Sequence, residues 1–136
     1  MASISGGCAC GRVRYIVTAE PVAAAFCQCR ACRWDTGAGH AASVGFPVEA
    51  VTIVGELRYW ESLADSGARA ARSFCPVCGA PISFTSTGMP DLAFVTAGSL
   101  DDPEVFEPEM VVFTAGAPSW DRIDPALPRF PGMPES

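Results

Sequence analysis

Seven cysteines, grouped in three short segments, are the residues of this sequence best suited to chemistry. Thiolates are preferred zinc ligands, and two of them in one tight turn can bind a single ion. A glycine after such a turn allows backbone N–H groups to hydrogen-bond the sulfurs. The segments, which therefore predict metal binding, are Cys8-Ala9-Cys10, Cys27-Gln28-Cys29-Arg30-Ala31-Cys32 and Cys75-Pro76-Val77-Cys78-Gly79.

Coordination number divides the cysteines into two sites. A structural zinc has four protein ligands, whereas a catalytic zinc has three and keeps one position open. The sequence thus predicts two zinc ions per chain, a closed site formed by the first and last segments and an open site formed by the middle one. We call these the four-cysteine cluster and the three-cysteine cluster; their members are Cys8, Cys10, Cys75 and Cys78, and Cys27, Cys29 and Cys32. The alternatives are buried thiols without metal or a redox pair in the last segment.

The charged residues favour metal-bound thiolates and argue against a nucleic-acid partner. The net charge is −6, whereas phosphate binding needs a basic surface. All nine basic residues are arginine, so no lysine is present to form a Schiff base with a carbonyl substrate. A cation close to a thiolate stabilises it, and five of these arginines lie within four positions of a cysteine. The alternative is that they are solvated strand and loop residues. The five are Arg12, Arg14, Arg30, Arg33 and Arg72.

An open zinc site implies a reaction in which a proton moves. His40, the one histidine, follows the three-cysteine cluster, and histidine is the side chain type suited to a proton shuttle near neutral pH, so we predict it as the catalytic residue. Asp35 is a second candidate. Arg30 and Arg33 are predicted to bind a substrate carboxylate, and Trp34 and Trp60 are candidates to line a pocket, Trp34 being the third predicted substrate-binding residue. The alternatives are a loop histidine without a role and, for Trp34 and Trp60, a place in the core.

The elements that must position these residues are short strands between turns, which predicts an all-β fold. Twelve prolines and thirteen glycines supply the corners. Gly55-Glu56 is predicted to be a hairpin turn, and residues 30–36 a single helical turn that Gly37 ends. The predicted strands are 12–17, 41–46, 51–54, 57–60, 68–74, 82–85, 92–96 and 110–114.

The length of 136 residues predicts one domain over residues 1–136. Five prolines and several large apolar residues mark 118–136 as a proline-rich strap packed on that domain, the alternative being a disordered tail. The N-terminal residues lack the basic start and apolar run of a signal peptide, and no stretch has the length of a membrane span. Clustered thiols in an odd number then favour a cytoplasmic protein with metal ligands over a disulfide framework.

The cysteine segments with their flanks resemble the glutathione-dependent formaldehyde-activating enzyme family, which includes centromere protein V-like proteins. The resemblance implies a β-tent fold, a structural zinc on the four-cysteine cluster and a catalytic zinc on the three-cysteine cluster. It also implies a carbon–sulfur lyase that acts on thiol–aldehyde adducts such as S-hydroxymethylglutathione. In this family the middle segment commonly reads Cys-His-Cys, and here Gln28 replaces the histidine. The resemblance extends over nearly the whole chain, through the segments 7–15, 27–32, 74–79, 98–103 and 120–130.

A function of a different class is a non-catalytic zinc module that binds a protein partner. The three-cysteine cluster favours the enzyme, because an open zinc site serves no purpose in a scaffold. The expected partner is a small thiol or aldehyde, while the sequence leaves the true substrate and the oligomeric state open.

Overall fold

The structure, a computed structural model, describes residues 3–64 and 66–134. In this part of the chain it contains ten strands, one short α-helix and four 3-10 turns, which confirms the predicted all-β class. The helix, α1, is Arg30–Thr36. The strands are β1 Ile4–Gly7, β2 Arg14–Val17, β3 Ala23–Cys27, β4 Ala41–Pro47, β5 Val51–Val54, β6 Arg58–Leu63, β7 Arg69–Phe74, β8 Pro81–Ser86, β9 Leu92–Thr96 and β10 Met110–Val112.

Two sheets organise these strands. The smaller is antiparallel, in the order β1-β2-β5, and the larger has seven strands in the order β10-β3-β4-β9-β8-β7-β6. Every pair of the larger sheet is antiparallel except β10 with β3, which run parallel. The two sheets bury their apolar faces in one core. Strand β2 shows the period of two that this requires, because Tyr15 and Val17 are buried while Arg14 and Ile16 face solvent.

The core contains one cysteine from each half of the four-cysteine cluster. Cys8 and Cys75 pack with Tyr15, Phe46 and Ile82, which are all buried. Each apolar side chain of this size stabilises the fold by roughly 1.5–3 kcal/mol through its burial. The four-cysteine cluster therefore lies at the edge of the core, and its position depends on both sheets.

Helix α1 begins and ends as the sequence predicts. Cys29 precedes it as the N-cap, and its Sγ accepts a hydrogen bond from the backbone N–H of Cys32 at 3.4 Å. Gly37 follows it with φ of 72°, and the Gly37 N–H donates to the carbonyl of Arg33. A left-handed glycine is a common helix end because it lacks the Cβ that would clash there. The helix therefore has a cluster cysteine as its cap and another in its first turn.

The hairpin predicted at Gly55-Glu56 is wrong. Strand β5 pairs with β2 in the smaller sheet, and β6 pairs with β7 in the larger one, so the segment between them crosses from sheet to sheet. Gly55 has a φ of 116°, and a Cβ there would lie 2.3 Å from the carbonyl oxygen of Arg12. The glycine is therefore needed for this crossing rather than for a two-strand turn.

Strands β1 and β3 were not predicted, and β10 is shorter than predicted. The sequences Ile-Ser-Gly-Gly and Ala-Ala-Ala-Phe-Cys have low strand propensity, so only their pairing with neighbours makes them strands. Strand β10 ends at Val112 because Phe113 has a left-handed backbone with φ of 57°.

The C-terminal segment lies along β10. The carbonyl of Pro128 accepts from the N–H of Val111 at 2.9 Å, and the N–H of Phe130 donates to the carbonyl of Val111 at 3.0 Å. These bonds fix the segment against the edge of the larger sheet. None of the helices in the described residues combines the length and the apolar character that a membrane crossing needs.

Candidate functional site

The four-cysteine cluster brings together two segments that are far apart in the chain. The sulfurs of all four members lie within 4.8 Å of one another. Cys10 Sγ lies 3.6 Å from Cys8 Sγ and 3.7 Å from Cys75 Sγ. A tetrahedral zinc with Zn–S bonds of about 2.3 Å separates its sulfurs by about 3.8 Å. The donor set therefore fits a closed zinc site.

Backbone hydrogen bonds hold the sulfurs of this cluster. The N–H of Val13 donates to Cys8 Sγ at 3.2 Å, and the N–H groups of Val77 and Cys78 donate to Cys75 Sγ at 3.4 and 3.5 Å. Gly79 closes the second turn with φ of 78°, and its N–H donates to the carbonyl of Cys75. Such N–H groups favour the thiolate form that binds metal.

The three-cysteine cluster comes from one local segment. Cys27 ends β3, Cys29 caps helix α1 and Cys32 lies in its first turn, and their sulfurs also lie within 4.8 Å of one another. Hydrogen bonds from the Cys27 and Cys32 thiols lower the pKa of Cys29, whereas hydrogen bonding to Cys29 and Cys32, together with burial, raises the pKa of Cys27. Three thiolates at this separation repel one another, so they ionise together only beside a cation. The donor set fits a metal ion with three protein ligands.

Arg72 reaches this cluster from β7. It was noted in the sequence for its closeness to Cys75, yet its Nη2 donates to Cys32 Sγ at 3.6 Å, across 40 residues of chain. The guanidinium also donates to Ser62 Oγ and stacks on the rings of Trp60 and Phe84. Arg72 is only 4% exposed, so a cation is built into the wall of the three-cysteine cluster. The charge of Arg72 also acts on Asp35. Burial raises the pKa of Asp35, and the positive charge of Arg72 opposes that rise.

His40 lies one residue before Ala41, the strand partner of Cys27. Its Nδ1 is 2.9 Å from both carboxylate oxygens of Asp121, a residue of the C-terminal segment. Gln28, between two cluster cysteines, is buried and donates from Nε2 to Asp121 Oδ2 at 3.0 Å. Burial alone would raise the pKa of Asp121, but hydrogen bonds from Gln28 and His40 hold it below its usual range. The carboxylate thus connects the histidine to the three-cysteine segment.

His40 also lines a cleft of about 710 Å³. Cys8, Arg14, Thr36, Ser99 and Asp101 lie around the same cleft. Arg14, expected beside the cysteines, forms an ion pair with Asp101 at the rim, where each side chain is about half exposed. Its charge is thus largely matched by a carboxylate rather than directed at the sulfurs.

Arg30, Arg33 and Trp34 line a separate groove of about 370 Å³ with Trp120. The Arg30 guanidinium stacks 5.7 Å from the ring centre of Trp34. Arg33 Nε is buried and has no hydrogen-bond partner among the described residues. Trp34 and Trp120 are 67% and 68% exposed, unusual values for tryptophan. The three predicted substrate-binding residues therefore share this groove, whereas His40 lines the separate cleft of about 710 Å³.

Sequence reasoning missed Asp121 and Trp120 as site residues, and it missed the partner of Arg72. Asp121 lies 81 residues from His40 along the chain, and Arg72 lies 40 from Cys32. The sequence contained one weak indication. Trp120 lies in a strap that was predicted to pack on the domain, but the sequence does not show which residues it contacts.

The fold and the two clusters define a small all-β protein with cysteine sites suited to metal. The model of the glutathione-dependent formaldehyde-activating enzyme family matches residues 3–116, which is most of the sequence. The chain belongs to this family.

A solved structure supports the fold. The crystal structure of a Rhodobacter sphaeroides protein, a structural-genomics target, matches with a TM-score of 0.60 and 18% sequence identity. The match covers 93% of this chain and 98% of that one. A search of curated protein sequences returned no significant match.

Proposed function

We propose that this protein is a zinc-dependent carbon–sulfur lyase that reversibly joins a small thiol to a small aldehyde, as in S-hydroxymethylglutathione. The observation that carries the proposal is a second cysteine cluster with only three sulfurs, all from one segment. A fold that needed zinc only for stability would be served by the four-cysteine cluster alone. Membership of the formaldehyde-activating family supports the reaction class.

The proposed reaction balances without an oxidant or reductant. In the adduct-forming direction the sulfur forms a bond to the carbonyl carbon, the C=O π electrons move to oxygen, and the thiol proton ends on that oxygen. Three thiolates leave one position of a zinc ion open, and the bound ion lowers the pKa of a thiol or polarises a carbonyl. In this proposal Cys27, Cys29 and Cys32 are ligands rather than nucleophiles.

The chain's own part is to move the proton and to orient the thiol. We assign the proton to His40, which lines a cleft and lies one residue from the strand partner of Cys27. General acid–base assistance of this kind typically contributes about 100- to 10,000-fold. We assign orientation of the thiol to Arg30 and Arg33. Both residues line one groove, where their guanidinium groups can donate to a substrate carboxylate.

The proposal includes two zinc ions per chain and one domain over residues 1–136, with 118–136 as its strap. The four-cysteine ion would be structural and the three-cysteine ion catalytic. The partners would be a small thiol and a small aldehyde, and the thiols of both clusters suit a reducing cytoplasm.

The test is the rate of adduct formation between formaldehyde and glutathione with zinc-loaded protein. We expect acceleration over the uncatalysed reaction, its loss in Cys29→Ser, and slower turnover for neutral thiols than for thiols with carboxylates. No acceleration across a panel of thiols and aldehydes would reject the lyase and favour a module that binds a protein partner.

A further inference from the structure

His40 and Asp121 form a close, largely buried pair in which both side chains are held by additional contacts. Both carboxylate oxygens lie 2.9 Å from Nδ1, and the Asp121 side chain is only 9% exposed. The Phe26 ring and the imidazole pack in a T-shaped pair at a centroid distance of 5.0 Å, which restrains the imidazole plane. Gln28 Nε2 donates to Oδ2 of the same carboxylate at 3.0 Å. Each partner of the pair is thus fixed by a second contact.

The backbone next to the pair is adapted to it. A Cβ on Gly39 would lie 2.4 Å from Asp121 Cγ, so any other residue at this position would push the carboxylate away. The Asp121 N–H donates to the carbonyl of Pro118 at 3.1 Å, which sets the turn that carries the carboxylate. Asp121 lies beyond residues 3–116, the part of the chain that the family model matches.

An ionised carboxylate can only accept hydrogen bonds, so the nitrogen that faces Asp121 must carry the hydrogen. A neutral imidazole has one N–H, and its other nitrogen is then an acceptor. In the described part of the chain, the ring's hydrogen bonds involve Nδ1 alone. The His40 side chain is 29% exposed, and His40 lines the cleft.

We infer that Asp121 is a positioning residue that holds His40 in its Nδ1–H tautomer, with Nε2 as the proton acceptor in the cleft. Its catalytic consequence rests on the proposed lyase function, whereas the tautomer itself does not. A histidine with the wrong tautomer would present an N–H where the reaction needs a lone pair. One residue of the C-terminal strap, Asp121, is therefore part of the site.

His40 is the one histidine of the chain, so its tautomer can be read directly. The experiment is a long-range proton–nitrogen NMR spectrum of full-length, zinc-loaded protein labelled with nitrogen-15 histidine. The pH is raised until the ring nitrogen signals no longer change, so that only the neutral ring is observed. We expect a protonated Nδ1 in the wild type and a mixture of tautomers in Asp121→Ala. A wild-type spectrum with the hydrogen on Nε2 would overturn the inference, even if the variant failed to fold.

Kinetics then separate this inference from the lyase proposal. Asp121→Ala should lower kcat towards the value of His40→Ala, and combining the two should add little, since both act through one group. Asp124→Ala, a change to an exposed carboxylate of the same strap, is the matched control and should leave kcat and the tautomer unchanged. If His40→Ala loses turnover while Asp121→Ala keeps both kcat and the tautomer, the positioning role is wrong and the lyase proposal stands.

Discussion

Arg72 donates to the sulfur of Cys32 from β7, and Cys75, a member of the other cluster, directly follows that strand. Strand β7 therefore contacts both clusters within four residues. Arg72 is buried, so its charge acts on the three-cysteine cluster with little screening by solvent. Three thiolates on one zinc carry a net charge of about −1, which this guanidinium matches.

The first prediction concerns Arg72→Met, which keeps much of the side-chain volume but removes the cation. We expect the free energy of unfolding to fall by about 2–4 kcal/mol, because the charged hydrogen bonds to Ser62 and Cys32 are lost. We also expect the three-cysteine cluster to release metal to a chelator sooner. Chemical denaturation and a chelator competition measure the two effects. Arg69→Met, at an exposed position of the same strand, is the control, and equal behaviour of the two variants would contradict this account.

The second prediction is that protein purified without chelator contains close to two zinc ions per chain. The reason is two separate sulfur clusters, each compact enough for one ion. Elemental analysis measures the ratio, and Cys29→Ser should bring it close to one. A ratio of one or less in carefully handled wild-type protein would contradict the two-site model.

The third prediction is that the two clusters fail differently. Structural zinc in small domains binds with an apparent free energy of roughly 10–16 kcal/mol, comparable to the 5–15 kcal/mol stability of a whole domain. Cys75→Ser should therefore unfold the protein or greatly lower its melting temperature, since Cys75 is buried in the core. Cys29→Ser should melt close to the wild type but lose activity. Cys78→Ser should behave like Cys75→Ser although Cys78 is exposed, and equal losses at Cys29 and Cys75 would refute the division.

The fourth prediction concerns acid. Hydrogen bonds from Arg14 and Ser5 lower the pKa of Asp101 to about 2, against about 3.9 for an unfolded chain. Because the folded pKa is the lower one, this contribution to stability is complete above about pH 5 and disappears as the pH falls towards 2. Wild type should melt above Asp101→Asn at neutral pH, and the gap should close on acidification. Glu107→Gln, at an exposed site, serves as the control; a gap independent of pH would mean that the ion pair is not responsible.

Local patterns explain which parts of this structure the sequence could predict. The tight turns of Cys75 to Gly79 and the helix between Cys29 and Gly37 depend on neighbouring residues, and both form where they were expected. The placement of Arg72 on Cys32 and of Asp121 on His40 depends on strand order and on the path of the C-terminal segment. Propensity also failed for β3, an alanine-rich strand that exists because β4 and β10 pair with it.

The spacing of the cluster sulfurs along the chain also determines the order in which the two clusters can assemble during synthesis. The three-cysteine cluster needs only six consecutive residues, so its ligands can gather while most of the chain is still absent. In the four-cysteine cluster, Cys10 and Cys75 are 65 residues apart, and closing that loop costs entropy before any bond to metal repays it. A nascent chain can thus complete the three-cysteine cluster early, whereas the four-cysteine cluster must wait until the polypeptide has passed Cys78 and begun to collapse.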